Sequence, residues 1–365
     1  MAAVPEILTR ETDIRAQQPG GVGRAVWLFS PKTDLSVFLG SAAVSLVALW
    51  IGSLLGVLHS DSPEWVWIPA ILLIDVAHVY STGFRVYLDT DEFRRRPWLY
   101  LLVPILGFAV GAALYSEGEL VFWRALAYLA VFHFVRQQYG WVALYRARGG
   151  ERDRFGRLID TAAIYLATVY PLVYWHTHLP RQFSWFLPRD FAGIPHVIDS
   201  TLGPIYWSVL GVYVVRSLYR WLVKGEVNPG KDIVVATTAI CWYVGIVWFN
   251  SDYAFTVTNV VIHGIPYLTL IYWYGRRRVT ESPVTPLRLF FRGPALFLAV
   301  LWVLAFVEEM FWDRGVWHER SWLFGSWDVS AIRFVLVPLL ALPQITHYVL
   351  DGFIWRRKSN PHFSL

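Results

Sequence analysis

Four histidines carry the chemistry that can be read in this chain. His78, His133, His263 and His347 each sit inside a long apolar stretch, where an ionisable group is costly and usually functional. Each has a polar residue one helical turn away. Asp75 precedes His78 by three and Asn259 precedes His263 by four; Gln137 follows His133 by four and Asp351 follows His347 by four. A metal-bound imidazole normally gives its other ring N–H to a carboxylate, carbonyl or amide, which sets the tautomer. The pattern therefore reads as four metal ligands, His78, His133, His263 and His347, oriented by Asp75, Gln137, Asn259 and Asp351. Asp75, Asp351, Arg136 and Tyr348 are the candidate catalytic groups, and Gln138, Tyr80 and Ser81 add polarity beside them. A lone membrane histidine is commonly a helix–helix hydrogen bond. Four of them with matched partners point to one shared site.

Neutral imidazoles suit iron, zinc and copper. The single cysteine, Cys241, excludes a disulfide framework and a thiolate zinc site. Four imidazoles would close a tetrahedral zinc, whereas iron with four keeps positions open for dioxygen. The first expectation is thus a non-haem Fe(II) oxygenase acting on an apolar, lipid-like small molecule, with an electron donor unspecified. Zinc held by three ligands and a water would make a lipid hydrolase. Haem b on facing histidine pairs would make a cytochrome, with Gly140 and Gly264 as small residues beside the porphyrin. A proton-coupled transporter using the same Asp and His, or a scaffold, also stays open.

The elements that must hold these residues are membrane helices. Of 365 residues 56% are hydrophobic and 16% charged, with a mean hydropathy of +0.42 and 20 tryptophans. Soluble domains carry about 25% charge, so the composition excludes disorder and argues against a soluble enzyme. Roughly ten runs approach the ~20 apolar residues of a spanning helix: 35–58, 64–88, 97–115, 119–145, 159–179, 203–223, 232–249, 253–275, 293–312 and 331–355. They are too long and continuous for barrel strands. Every second break is basic: Arg94, Arg95 and Arg96; Arg146 to Arg157; Arg220, Lys224 and Lys231; Arg276, Arg277 and Arg278; Arg356, Arg357 and Lys358. The positive-inside rule puts those breaks and both termini in the cytoplasm, with the basic residues as topology signals rather than nucleic-acid contacts. The expectation is an all-α polytopic bundle of about ten helices over 34–356, with cytoplasmic tails 1–33 and 357–365, in a bacterial inner or plasma membrane or its equivalent. Residues 1–33, with the Pro19-Gly20-Gly21 breaker, lack the form of a signal peptide.

In that topology all four histidines lie on helices running the same way. Each is about 8–13 residues, or about 12–20 Å, from its cytoplasmic end, so they share a layer. Pro266 and Pro343 lie within one turn of His263 and His347 and can kink their helices beside the site. Glu308 and Glu309 are expected to pair with Arg124. His176 and His178 read as an interfacial, solvated pair; His59, His196, His318 and His362 read as loop or tail residues.

Single histidines on separate helices beside aspartates, with the His263-Gly264 step and the carboxylate-flanked His78 and His347, resemble the Brp/Blh family of bacterial membrane β-carotene 15,15′-dioxygenases. That resemblance implies four histidines holding iron inside a helix bundle and oxidative cleavage of a carotenoid to retinal. The close histidine pair, one turn apart on a late helix, that goes with that family is absent here. A fainter likeness, carried by Asp75, His78, Ser81, His347 and Asp351, is to membrane zinc hydrolases of the ceramidase and adiponectin-receptor type. It implies a zinc-bound water; Asp351 stands where the second histidine of their H-x-x-x-H spacing would be.

Overall fold

The computed structural model describes residues 25–59, 62–281 and 287–356. Of the expected tails, residues 1–24 and 357–365, with Pro19-Gly20-Gly21, Lys358 and His362, lie outside the described residues. Ten long helices form the bundle: α1 Pro31–Leu54, α2 Glu64–Val86, α3 Pro97–Glu117, α4 Glu119–Arg148, α5 Arg154–Thr177, α6 His196–Leu222, α7 Pro229–Trp248, α8 Asp252–Glu281, α9 Pro294–Trp317 and α10 Ser330–Ile354. No strand occurs among the described residues. All ten apolar runs are therefore helical, but among the described residues nine helices are both long and apolar enough to cross a membrane. The other is α4, thirty residues long. It has the length but carries Arg124, Arg136, His133, Gln137 and Gln138, the side chains that make it useful. Helix α1 starts at Pro31, a few residues before the expected boundary, and α6 starts at His196, seven residues early.

Local chemistry sets the helix ends. Pro31, Pro97, Pro229 and Pro294 occupy first-turn positions, where the missing N–H costs nothing. Ser30, Asp153 and Asn228 cap α1, α5 and α7 by accepting from Thr33, Gly156 and Lys231 N–H groups. Gly118 alone separates α3 from α4; its φ of 145° belongs to the region that favours glycine. In α10 the chain breaks at Ala341, and a new helix starts at Leu342 with Pro343 in its first turn. Pro343 thus interrupts the helix directly before His347, while Pro266 sits inside an unbroken α8.

Helix α8 is the axis. Its apolar window is 89% buried, against 11% for α3 and α6, which face outward. Around α8 pack α1, α2, α4 and α7; α10 lies against α2, α3 and α4. Gly264, beside His263, permits a close approach: a Cβ there would come within 2.5 Å of the Ile74 side chain on α2. The haem expectation placed Gly264 beside a porphyrin; Ile74 fills that space instead. Asp75 and Pro69 lie in a wide, π-type stretch of α2, Trp67–Val76, a geometry that recurs at functional sites.

One end of the bundle is locked by buried ion pairs. Lys231 reaches Glu151 at 2.7 Å and Asp160 at 3.0 Å, Arg216 meets Asp160 at 2.9 Å, and Arg220 meets Glu151 at 2.7 Å. Arg146 also pairs with Asp160. On the same end Arg278 bonds Asp89 at 2.8 Å, and Arg85 bonds Glu92 at 3.0 Å. Of these, Arg146, Arg220, Lys231 and Arg278 belong to the basic breaks. The sequence reading used them as topology signals alone; they are also the staples that join α4 to α7 and α2 to α8.

Candidate metal centre

Helices α2, α4, α8 and α10 contribute one histidine each, and all four are buried. The ligand atoms offered by His78, His133, His263 and His347 lie within 4.8 Å of one another. Two contacts define the core: His263 Nε2 to His78 Nε2 at 3.2 Å, and His347 Nε2 to His133 Nε2 at 3.1 Å. The rings meet edge-on, with centroids 4.8 Å apart for His78 and His263 and 4.5 Å for His133 and His347. The expected common layer is therefore present, and the four residues form one cluster.

The outward Nδ1 atoms meet different partners. His347 Nδ1 is 2.7 Å from Thr82 Oγ1, which is itself 2.9 Å from the Tyr267 hydroxyl. His133 Nδ1 is 3.6 Å from Asp351 Oδ2, and His78 Nδ1 is 3.7 Å from Asp75 Oδ1. Asp75 thus stands by its own-helix histidine. Asp351 crosses from α10 to serve His133 on α4 rather than His347 one turn before it; Trp355 Nε1 holds its other oxygen at 2.7 Å. Gln137 reaches no imidazole; its Nε2 donates to the His263 backbone carbonyl at 2.8 Å. Asn259 also departs from expectation. It donates to the Phe255 carbonyl at 3.0 Å and to Thr258 Oγ1 at 3.2 Å, both on its own helix. Its Oδ1 and the His263 Nδ1 one turn later are both buried without a partner. The His263 ring is aligned instead by Phe134, stacked on it at 3.5 Å and 6°.

The other expected catalytic groups divide. Tyr348 flanks the cluster, its ring 5.1 Å from that of His133. Arg136 does not join it: the residue is exposed, hydrogen-bonded to the Tyr165 hydroxyl on α5 and set over the Tyr139 ring. Gln138 accepts from Thr238 at 3.1 Å. Ser81 spends its hydroxyl on the His78 carbonyl at 2.6 Å, while Tyr80 bonds Glu308. Arg124 pairs with neither Glu308 nor Glu309; it donates to the carbonyls of Arg189 and Asp190. Glu308 takes hydrogen bonds from Trp312 and Gln344, and Glu309 takes one from Trp67 at 2.8 Å. Arg124 is captured instead by the loop between α5 and α6. His176 meets the Tyr128 hydroxyl at 3.1 Å, and the His178 ring stands 4.9 Å from that of His196.

Thr82, Tyr267 and Phe134 are the site residues that sequence reading missed. Thr82 is four residues after His78, so the one-turn rule marks it as a neighbour of the site. Its actual partner, on α10, needed the fold.

Ionised Asp351 at 3.6 Å and Asp75 at 3.7 Å, both beyond hydrogen-bond distance, favour hydrogen on the Nδ1 atoms of His133 and His78 and so Nε2 lone pairs turned inward. Thr82 can give or accept, and His263 is unconstrained. Two arrangements satisfy the geometry. With a cation at the centre, all four Nε2 lone pairs face it; His347 then donates to Thr82, and His263 Nδ1–H needs an acceptor such as the unpartnered Asn259 Oδ1. Without one, His263 and His347 carry hydrogen on Nε2 and donate to His78 and His133. The donor set, the burial and the orphaned Asn259–His263 pair fit the first arrangement.

Compared with protein-family models, with curated proteins and with solved structures, the chain matches none.

Proposed function

We propose that this chain is a multi-pass membrane metalloenzyme in which His78, His133, His263 and His347 hold one metal ion, foremost Fe(II), and which acts on an apolar lipid-like substrate with dioxygen. The convergence of four inward Nε2 atoms from four separate helices carries the reading. Four rings that merely joined helices would pair with varied partners; these face one another. Four imidazoles would close a tetrahedral zinc, whereas iron with the same four donors keeps positions open for dioxygen, and that donor set is what supports iron over zinc. The mutual approach of all four rings leaves no slot for a porphyrin between any two, so haem ranks last.

Bound iron would supply open positions for dioxygen. The chain's own residues do the rest. Asp75 and Asp351 keep protons on the outer nitrogens of His78 and His133, raising their basicity as ligands. Thr82 and Tyr267 do the same for His347. Tyr348, half-buried against His133, offers a hydroxyl to an oxygen-bearing group of the substrate. The apolar shell excludes water. The topology that goes with this reading has all ten helices spanning the membrane, α4 included, with both termini and the ion-paired end cytoplasmic.

A zinc-dependent lipid hydrolase is the second reading, favoured by the two carboxylates beside the cluster. The deciding experiment is elemental analysis and a visible spectrum of the detergent-purified protein beside His263→Ala. About one iron per chain, no Soret band and loss in the variant is the expected result. Zinc would select the hydrolase. A folded protein free of metal in both samples would end the metalloenzyme reading and leave a proton-coupled transporter.

A further inference from the structure

Arg136 is out of place. It lies twelve residues from Arg148 at the end of α4, about 18 Å along the helix, which is mid-bilayer in the topology above. It is nonetheless exposed rather than turned to the interior. Its guanidinium has the Tyr165 hydroxyl and the Tyr139 ring, 4.9 Å to centroid, as neighbours. Among the described residues it makes no ion pair with a carboxylate, in contrast to Arg146, Arg216 and Arg220. A bare cation at that depth costs several kcal/mol, so the position calls for an anion from outside the chain.

A second feature lies on the same side of α4. An apolar groove of about 310 Å³ runs between α3, α4 and α10, lined by Leu106, Val110, Ala125, Leu129, Ile345 and Val349, among others. That volume is at the small end for ligand sites of about 300–1,000 Å³, which suits a slender chain. The groove opens beside α3, a helix that is mostly exposed. Leu129, His133 and Arg136 follow one another at four- and three-residue steps and so share one face of α4. Leu129 to Arg136 is about 10 Å. On α10, Ile345 and Val349 share a face with Tyr348, while His347 lies on the opposite side of that helix.

We propose that the groove takes the hydrocarbon chain of a long-chain carboxylic acid whose carboxylate ends on Arg136, so that the carbons in between lie along the turn that carries His133. A guanidinium with free N–H groups binds a carboxylate through two parallel hydrogen bonds, and no phospholipid head group sits at this depth. The proposal refines the substrate class of the metal-centre reading and rests on it for catalysis, but the binding itself needs no metal.

The test uses parinaric acid, a fluorescent eighteen-carbon polyene carboxylate, and its methyl ester, titrated into the detergent-purified protein with and without prior chelation. The acid should bind at least about tenfold more tightly than the ester in both states. Arg136→Gln should remove that preference and leave ester binding unchanged. Arg136→Lys, which keeps the charge, should retain part of the preference and reports on folding of the site. Ala125→Phe, which fills the groove, should weaken both probes. Metal content should be the same in all four proteins, so failure of the metal reading is scored separately. Equal binding of acid and ester by the unaltered protein overturns the proposal. So does displacement of the acid by phosphatidylglycerol micelles but not by oleate, which would make Arg136 a lipid head-group seat.

Discussion

Where α4, α5, α6 and α7 meet, Arg146, Arg216, Arg220 and Lys231 close on Glu151 and Asp160; at the bundle's centre four imidazoles close on one another. Both clusters are buried and both join four helices. The first contains its own counter-charges. Burial works to raise the Glu151 carboxyl, but Lys231, with Asn228 and Arg220, outweighs it and holds the group down at about 2. Nothing need be added to complete that cluster. The second is made of four imidazoles whose Nε2 atoms approach one another, and its two carboxylates stand outside them at 3.6 and 3.7 Å from Nδ1. A cluster that satisfies itself is a staple. A cluster of like donors with orphaned atoms behind it could hold a metal ion.

The comparison breaks most sharply if the two clusters respond alike. His263→Ala or His78→Ala should abolish stoichiometric metal while the protein still elutes as a folded bundle, checked by elemental analysis after size-exclusion chromatography. Metal retained in both variants would remove the distinction. Asp160→Asn should do the reverse. It removes the buried carboxylate that Arg146, Arg216 and Lys231 share, leaving Arg146 and Lys231 on Glu151 alone and Arg216 with no buried counter-charge, at a cost of about 3–5 kcal/mol in thermal unfolding, and the folded fraction keeps its metal.

Smaller changes sharpen the contrast. Thr82→Val removes the partner of His347 Nδ1 and should lower metal affinity by about 10–100-fold, read by chelator competition, with little change in melting temperature. Acid should affect the staple through Glu151. Its folded value lies below the ordinary carboxylate value of about 4.3. Its stabilisation is therefore complete above that pH and lost as pH falls towards 2. Glu151→Gln should flatten the acid limb of the stability curve below about pH 4.3; an unchanged limb would mean that other carboxylates carry it.

Much of this arrangement was legible in the residues. Apolar runs located all ten helices, because a spanning helix must be continuous and about 20 residues long whatever its neighbours. Histidines in such runs marked the centre, since an ionisable group there needs a reason. Helical spacing found Asp75 and Asp351 and left open which histidine each would serve. A one-turn rule says which residues share a face, but not which neighbouring helix that face meets. Asp351 went to His133 and Thr82 to His347 for that reason. Asn259 turned back to its own helix because the Phe255 carbonyl lay within reach.

The sequence by itself determined the helical class, the apolar character of the surface and the four imidazoles, because length, composition and the cost of a buried charge act on each segment separately. Tertiary structure alone decided that four Nε2 atoms converge, that Arg136 stands outside their cluster on the exposed surface, and that Glu308 is held by Trp312 and Gln344 instead of Arg124. These depend on the rotation of each helix about its axis. That rotation is settled by packing between segments far apart in the chain, such as Gly264 against Ile74.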